Sequence, residues 1–312
     1  MLNRNSLVLF VMLGLGVFSL TCTWSAKSSN SQTSSDANIV PMENGDKLNF
    51  FDSLPADFEL PTDKSGELLL REYGAVFVAR NGAVPPKKIF FESEEEVQAF
   101  QNSVETQSGK LGGIVIQLQK PAMRAFDAAV KDAGKKGLSI SPRGVDSGRR
   151  GYNQTIALWK SRVEPGLNFW VGKGRLKTAE ATAIRRMSVR QQINEILRLE
   201  LDGIYFAKSL DKSIIYSVAP PGTSQHIAML ALDVKEFDDP RVRSILSGHG
   251  WFQTVVSDLP HFTYIGVDET ELPGLGLKKV RSGNRDFWIP DFSEIKPRKQ
   301  DRPKTPTPKP RQ

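Results

Sequence analysis

At 312 residues with 39% apolar side chains, the chain is long enough for one large domain or two small ones, and a fibrous or wholly unstructured polymer is excluded. The net charge of +7 and pI near 9.4 suit an anionic surface, yet the basic residues are spread out and concentrate only in Lys296–Gln312, so no nucleic-acid partner is expected. Cys22 is the only cysteine, which leaves the fold without an internal disulfide.

In chain order, Arg4 precedes an apolar stretch, Leu7–Leu20, that is short for a membrane span and is followed by small polar residues. Residues 1–25 therefore read as an export signal, and the protein is expected in the periplasm or cell envelope. Three outcomes stay open: acylation of Cys22 in a lipoprotein signal, cleavage near Ser25 or Ala26, or retention as an uncleaved membrane anchor. Residues 26–46, rich in Ser, Asn, Thr and Gln, lack the apolar surface to offset chain entropy and read as a flexible linker.

A small α+β segment is expected over 47–117. Ala75–Ala79 and Lys88–Phe91 are β-like runs, and Ser93 caps a helix whose first turn carries Glu94, Glu95 and Glu96. From Lys120, apolar residues at helical spacing (Met123, Phe126, Ala129, Val130, Ala133) follow a first-turn Pro121, with Gly134 and Gly137 closing the run. Leu138–Ile140 should then be a strand feeding the loop Ser141–Gly151. Ala179–Leu199 is helical in composition, and the flanking Trp159, Phe169 and Trp170 are expected to serve as core. The prolines and basic residues of 291–312 predict an extended tail.

The candidate metal ligands are His226, Asp233 and His261. Two imidazoles and one carboxylate leave the fourth position of a tetrahedral zinc ion open, the pattern of a catalytic centre. In the strand-like Leu230–Val234, Ala231 and Asp233 share a face, and the small Ala231 leaves space beside the ligand. His226 has the opposite parity to Asp233, so a loop marked by Pro221-Gly222 must turn it toward the ion. His261 opens a second strand-like run, and two adjacent strands could bring the three side chains to about 2 Å from one ion. His249, between glycines, is expected to be a loop residue.

Taken in order, Ser147-Gly148-Arg149-Arg150 with Gln154 nearby, Pro221-Gly222-Thr223-Ser224-Gln225-His226 followed by Ala231 and Asp233, and Asp258 three before His261 resemble the D-alanyl-D-alanine carboxypeptidase (VanY-like) family of zinc metallopeptidases. The resemblance runs from Leu118 to Gly266. It implies an α+β fold over 118–290 with a small antiparallel sheet flanked by helices, and Zn2+ held by His226, Asp233 and His261 in a cleft on the sheet. Its expected substrates are peptidoglycan stem peptides, cleaved near the C-terminus by a monomer, most simply as a D,D-carboxypeptidase.

The resemblance also assigns roles. Asp258 takes the place of a glutamate that accepts a proton from the attacking water and passes it to the leaving amine; aspartate is one methylene shorter, which sets its carboxylate back by about 1 to 1.5 Å, and small misplacements are costly. Arg150 would stabilise charge on the scissile carbonyl or bind the peptide carboxylate, with Arg149 as a rival. Gln154 and Ser224 would contact substrate, although Gln154 sits one residue closer to Arg150 than the family pattern has it. Met229 replaces an expected glycine and should fill space, narrowing the pocket. Two alternatives stand beside the enzyme: a non-catalytic peptidoglycan-binding protein that keeps the fold, and a wall-associated structural protein without zinc.

Overall fold

The computed structural model describes residues 49–293. The expected export signal with Cys22, the expected linker and residues 294–312 of the expected tail lie outside the described residues.

Asp63 accepts a hydrogen bond from the Gly66 amide at 2.7 Å and starts helix α1, Lys64–Tyr73. The run expected as a strand at Ala75–Ala79 is instead a 3₁₀ turn, Gly74–Val78, packed on the end of α1. Its five residues are all buried, and an apolar run this short carries no period that separates a covered helical turn from a covered strand. Lys88–Phe91 is also no strand: only Lys88 makes a single bridge, to Glu59, while the Phe91 amide donates to the Gly222 carbonyl at 3.0 Å and so fastens this segment to the loop ahead of His226.

Helix α2, Glu94–Ser103, begins as its sequence predicts, with Ser93 Oγ accepting from the Glu96 amide. An antiparallel hairpin follows, β1 (Thr106–Leu111) and β2 (Ile114–Gln119), turning at Gly112 and Gly113 with φ of 57° and 85°. Both values fall in the left-handed region that a two-residue hairpin turn demands. Helix α3, Lys120–Lys135, has Pro121 in its first turn and buries Met123, Phe126, Ala129 and Ala133.

Leu138–Ile140 does not pair as a strand. The chain runs on beside β3 (Ala231–Asp233), where the Arg143 amide donates to Asp233 O and the Asp233 amide donates to Ser147 O, but Pro142 has no N–H and pairing stays at one bridge, Pro142 to Val234.

Helix α4, Tyr152–Gly172, carries the buried Trp159; Trp170 is partly buried, whereas Phe169 is 38% exposed and not core. The helical stretch predicted over 179–199 is two helices, α5 (Thr178–Arg186) and α6 (Val189–Leu201). Ser188 takes an extended backbone between them and forms a reciprocal cap with Gln191, a start signal embedded in an otherwise helical pattern.

After β3 come α7 (Pro240–Ser247), β4 (Trp251–Phe252) and β5 (His261–Tyr264), and the sheet order is β3-β5-β4, antiparallel throughout. A last hairpin, β6 (Leu277–Ser282) and β7 (Arg285–Pro290), returns to α1. The architecture is α+β with small antiparallel sheets among helices. One buried apolar cluster runs from Phe50, Leu69 and Val78 through Phe126 and Trp159 to Trp251, Phe262 and Trp288, so 47–117 and 118–290 share a core. Among the described residues, no helix is long and apolar enough to cross a membrane.

Candidate metal centre

Strand register builds the first half of the site. Asp233 faces His261 across β3 and β5, and the bonds Val234 N to Pro260 O (2.8 Å) and Tyr264 N to Leu230 O (2.7 Å) make the Asp233–His261 pair a non-hydrogen-bonded one. Such pairs hold their Cα atoms about 4.5 Å apart, closer than hydrogen-bonded pairs. The two side chains therefore meet on one face of the sheet.

His226 arrives from the loop. Gly222 has φ of 77°, and a Cβ there would lie 1.9 Å from the Phe91 carbonyl oxygen, so only glycine admits the chain at this point. Its amide donates to Thr155 Oγ1 at 3.2 Å, tying the loop to α4. Gln225–Ala228 then forms a 3₁₀ turn that rotates His226 toward β3, as its opposite parity to Asp233 requires.

The three ligand atoms lie within 4.8 Å of one another, and the group could hold a metal ion. His226 Nε2 is 3.4 Å and His261 Nδ1 3.3 Å from Asp233 Oδ1. Tetrahedral bonds of about 2.0 Å place neighbouring donor atoms about 3.3 Å apart, so these spacings suit such an ion. Buried neighbours set each lone pair. His226 Nδ1 lies 2.8 Å from the Gly148 carbonyl and donates to it, which leaves Nε2 unprotonated, buried and without a hydrogen-bond partner. His261 Nε2 donates to Gln225 Oε1 at 2.9 Å, which turns the bare Nδ1 toward Asp233. Gln225 is itself fixed, donating to Tyr73 O at 2.8 Å and accepting from Thr263 Oγ1 at 2.5 Å.

Charge favours the same protonation states. Burial, with the Arg150 guanidinium second, pushes the His226 imidazole below its ordinary value despite Asp233 nearby. Burial alone would raise the Asp233 carboxyl, but the charge and hydrogen bonds that His226 and His261 offer when protonated reverse the sign and hold it well below the usual carboxylate range. Arg150 Nη2 donates to Asp233 Oδ2 at 2.9 Å. Neutral imidazole and ionised carboxylate are the forms that bind metal.

The group opens on a cleft of about 230 Å³ whose walls include Tyr73, Arg150, Ser224 and Asp258. Ser224 is buried at its floor, and Asp258 stands exposed on the turn ahead of His261, where the His261 amide donates to Asp258 O. Arg150, not Arg149, faces the cleft. Arg149 points away, donating to Gln101 Oε1 (2.6 Å) and Gln117 Oε1 (2.9 Å). Gln154 also lies outside the cleft lining: its Oε1 accepts from the Gly151 amide at 2.8 Å, closing the start of α4. Met229 does not narrow the cleft; it is fully buried away from the lining, with a left-handed φ of 53° as the cap of the 3₁₀ turn, a conformation that glycine adopts more readily. His249 sits in a turn and pairs with Asp132 at 2.8 Å.

Sequence reading missed Gln225, Tyr73 and Arg162, all in the cleft lining. Gln225 adjoins His226 and could have been flagged by position; the other two come from helices more than sixty residues away and carry no local signal. Neither a scan of protein-family models nor a search of curated proteins matches this chain, so the site's own geometry carries the functional reading.

Proposed function

We propose that the protein is an exported zinc peptidase that hydrolyses peptide bonds of peptidoglycan stem peptides, most simply as a D-alanyl-D-alanine carboxypeptidase. The observation that carries its metal centre is His226 Nε2, a buried lone pair with no partner that faces a carboxylate and a second lone pair at metal-ligand spacing, and the peptide substrate follows from the motif resemblance. Bound through His226, Asp233 and His261, zinc would supply Lewis acidity, polarising a carbonyl and acidifying water.

The chain's own groups supply the rest. Arg150 is held by its Nη2 bond to Asp233 and by Nε to Asp146 O at 3.1 Å, and its remaining N–H groups can donate to the scissile carbonyl oxygen as negative charge grows there. Asp258 would take the proton of the attacking water and deliver it to the leaving amine as the C–N bond breaks and the C–O bond forms. Ser224 would hydrogen-bond the substrate backbone.

Digestion of muropeptides by the zinc-loaded full chain, followed by mass spectrometry, tests the proposal. Loss of a terminal alanine, abolished by chelator and by Asp258→Ala, is the expected result. Stoichiometric zinc without any mass change across pentapeptide, tetrapeptide and cross-linked substrates would overturn the enzyme and favour a binding protein, a reading to which the short side chain of Asp258 lends weight.

A further inference from the structure

We infer that Arg162 reads the free C-terminal carboxylate of the peptide substrate, which makes the site an exopeptidase and not a cutter of cross-links. The inference rests on the peptidase reading above. Helix α4 sets Leu158 and Arg162, one turn apart, on the wall of the cleft that holds His226 and His261. Arg162 is half-buried, and its hydrogen bonds go to neutral partners only: Nε to Ser217 Oγ at 2.9 Å and Nη1 to Ser161 Oγ at 2.9 Å. Among the described residues it forms no ion pair, whereas Arg150, the other guanidinium in the cleft, is matched by Asp233.

A half-buried guanidinium without an anion lacks its best partner, and its planar fork fits a carboxylate. The Ser217 bond holds that fork in place before any ligand arrives. The remaining charged groups of the lining, Asp146 and Asp258, are acidic and repel an anionic terminus from the rest of the cleft. Of the arginines that the sequence offered for this contact, Arg150 is already paired with Asp233 and Arg149 points away to Gln101 and Gln117.

Calorimetric titration of the full chain without metal, using a diacetylated L-Lys-D-Ala-D-Ala tripeptide and its C-terminal amide, tests the assignment without relying on turnover. The wild type should bind the acid about ten- to a hundredfold more tightly than the amide, the range of a charge-assisted hydrogen-bonded pair. Arg162→Gln should bind both alike, and Arg162→Lys should keep part of the preference. Equal binding of acid and amide by the wild type, binding of neither, or a preference that survives Arg162→Gln would overturn the inference; should Arg162→Gln fail to fold, the wild-type comparison and Arg162→Lys still decide it. With zinc added, an acid preference without cleavage would sink the peptidase reading alone, and equal cleavage of acid and amide would sink the Arg162 assignment alone.

Discussion

Nδ1 of His261 lies 3.3 Å from Oδ1 of Asp233, its direct partner in the register of β3 and β5. A slip of one residue would turn one of them to the opposite face of the sheet, so register and site are specified together.

The first expected outcome concerns zinc itself. At about 100 times its dissociation constant, zinc should raise the stability of the wild type by about 2.7 kcal/mol, and His226→Ala should remove most of that gain. Thermal unfolding with zinc and with chelator checks this. An unfolding curve indifferent to zinc would reject the metal centre.

Gln225 holds His261 in its metal-ready tautomer. Gln225→Leu should weaken zinc binding about 10- to 100-fold, the range found when an outer hydrogen bond to a ligand is lost. Competition with a chromophoric chelator measures the change, and unaltered affinity would mean that β5 alone orients the ring.

Asp258 is exposed and forms no part of the triad. Asp258→Ala should therefore leave zinc stoichiometry intact while lowering turnover by about 10²- to 10⁴-fold, and Asp258→Glu should raise turnover by extending the carboxylate toward the cleft. Full activity in the alanine variant would remove Asp258 from the mechanism.

Met229 sets two effects against each other. Its left-handed backbone costs about 1–2 kcal/mol, which glycine would relieve, but its side chain is fully buried, and emptying that volume costs about 2–5 kcal/mol. Met229→Gly should therefore destabilise by about 1–3 kcal/mol in urea unfolding. A stabilised variant would show that backbone strain dominates.

Glu200 anchors the segment leading to the cleft wall at Ile215–Ser217, accepting from the Ile214 amide at 2.7 Å and the Phe206 amide at 3.2 Å. Burial raises its carboxyl above the ordinary 4.5 despite these bonds. A carboxyl raised on folding gives stability that is complete below pH 4.5 and is lost as pH rises through the folded value. Relative to Glu200→Gln, which cannot ionise, the wild type should become less stable between about pH 4 and 7. Urea unfolding at both pH values reads the difference, and parallel profiles would contradict the burial effect.

Where periodicity or a cap was strong, the fold was legible. The start of α2 at Ser93, the core face of α3 and the strands at Asp233 and His261 all follow from local residue order. Failures fell on short apolar runs, Ala75–Ala79 above all, because a five-residue run that ends up covered on every side carries no period to read. The hairpin at Gly112-Gly113 was a local signal overlooked. The break at Ser188 was another, a cap hidden inside a helical composition.

That His226, Asp233 and His261 could gather around one ion was legible in the sequence, since residue type and strand parity already required a loop to carry His226 across. Which arginine faces the cleft, which nitrogen of each imidazole is bare, and that Arg162 joins the site from α4 were decided only by tertiary structure. Those properties depend on hydrogen bonds between residues far apart in the chain, such as His226 to Gly148 and Gln225 to Tyr73, and no local pattern of residues encodes a partner that folding alone brings near.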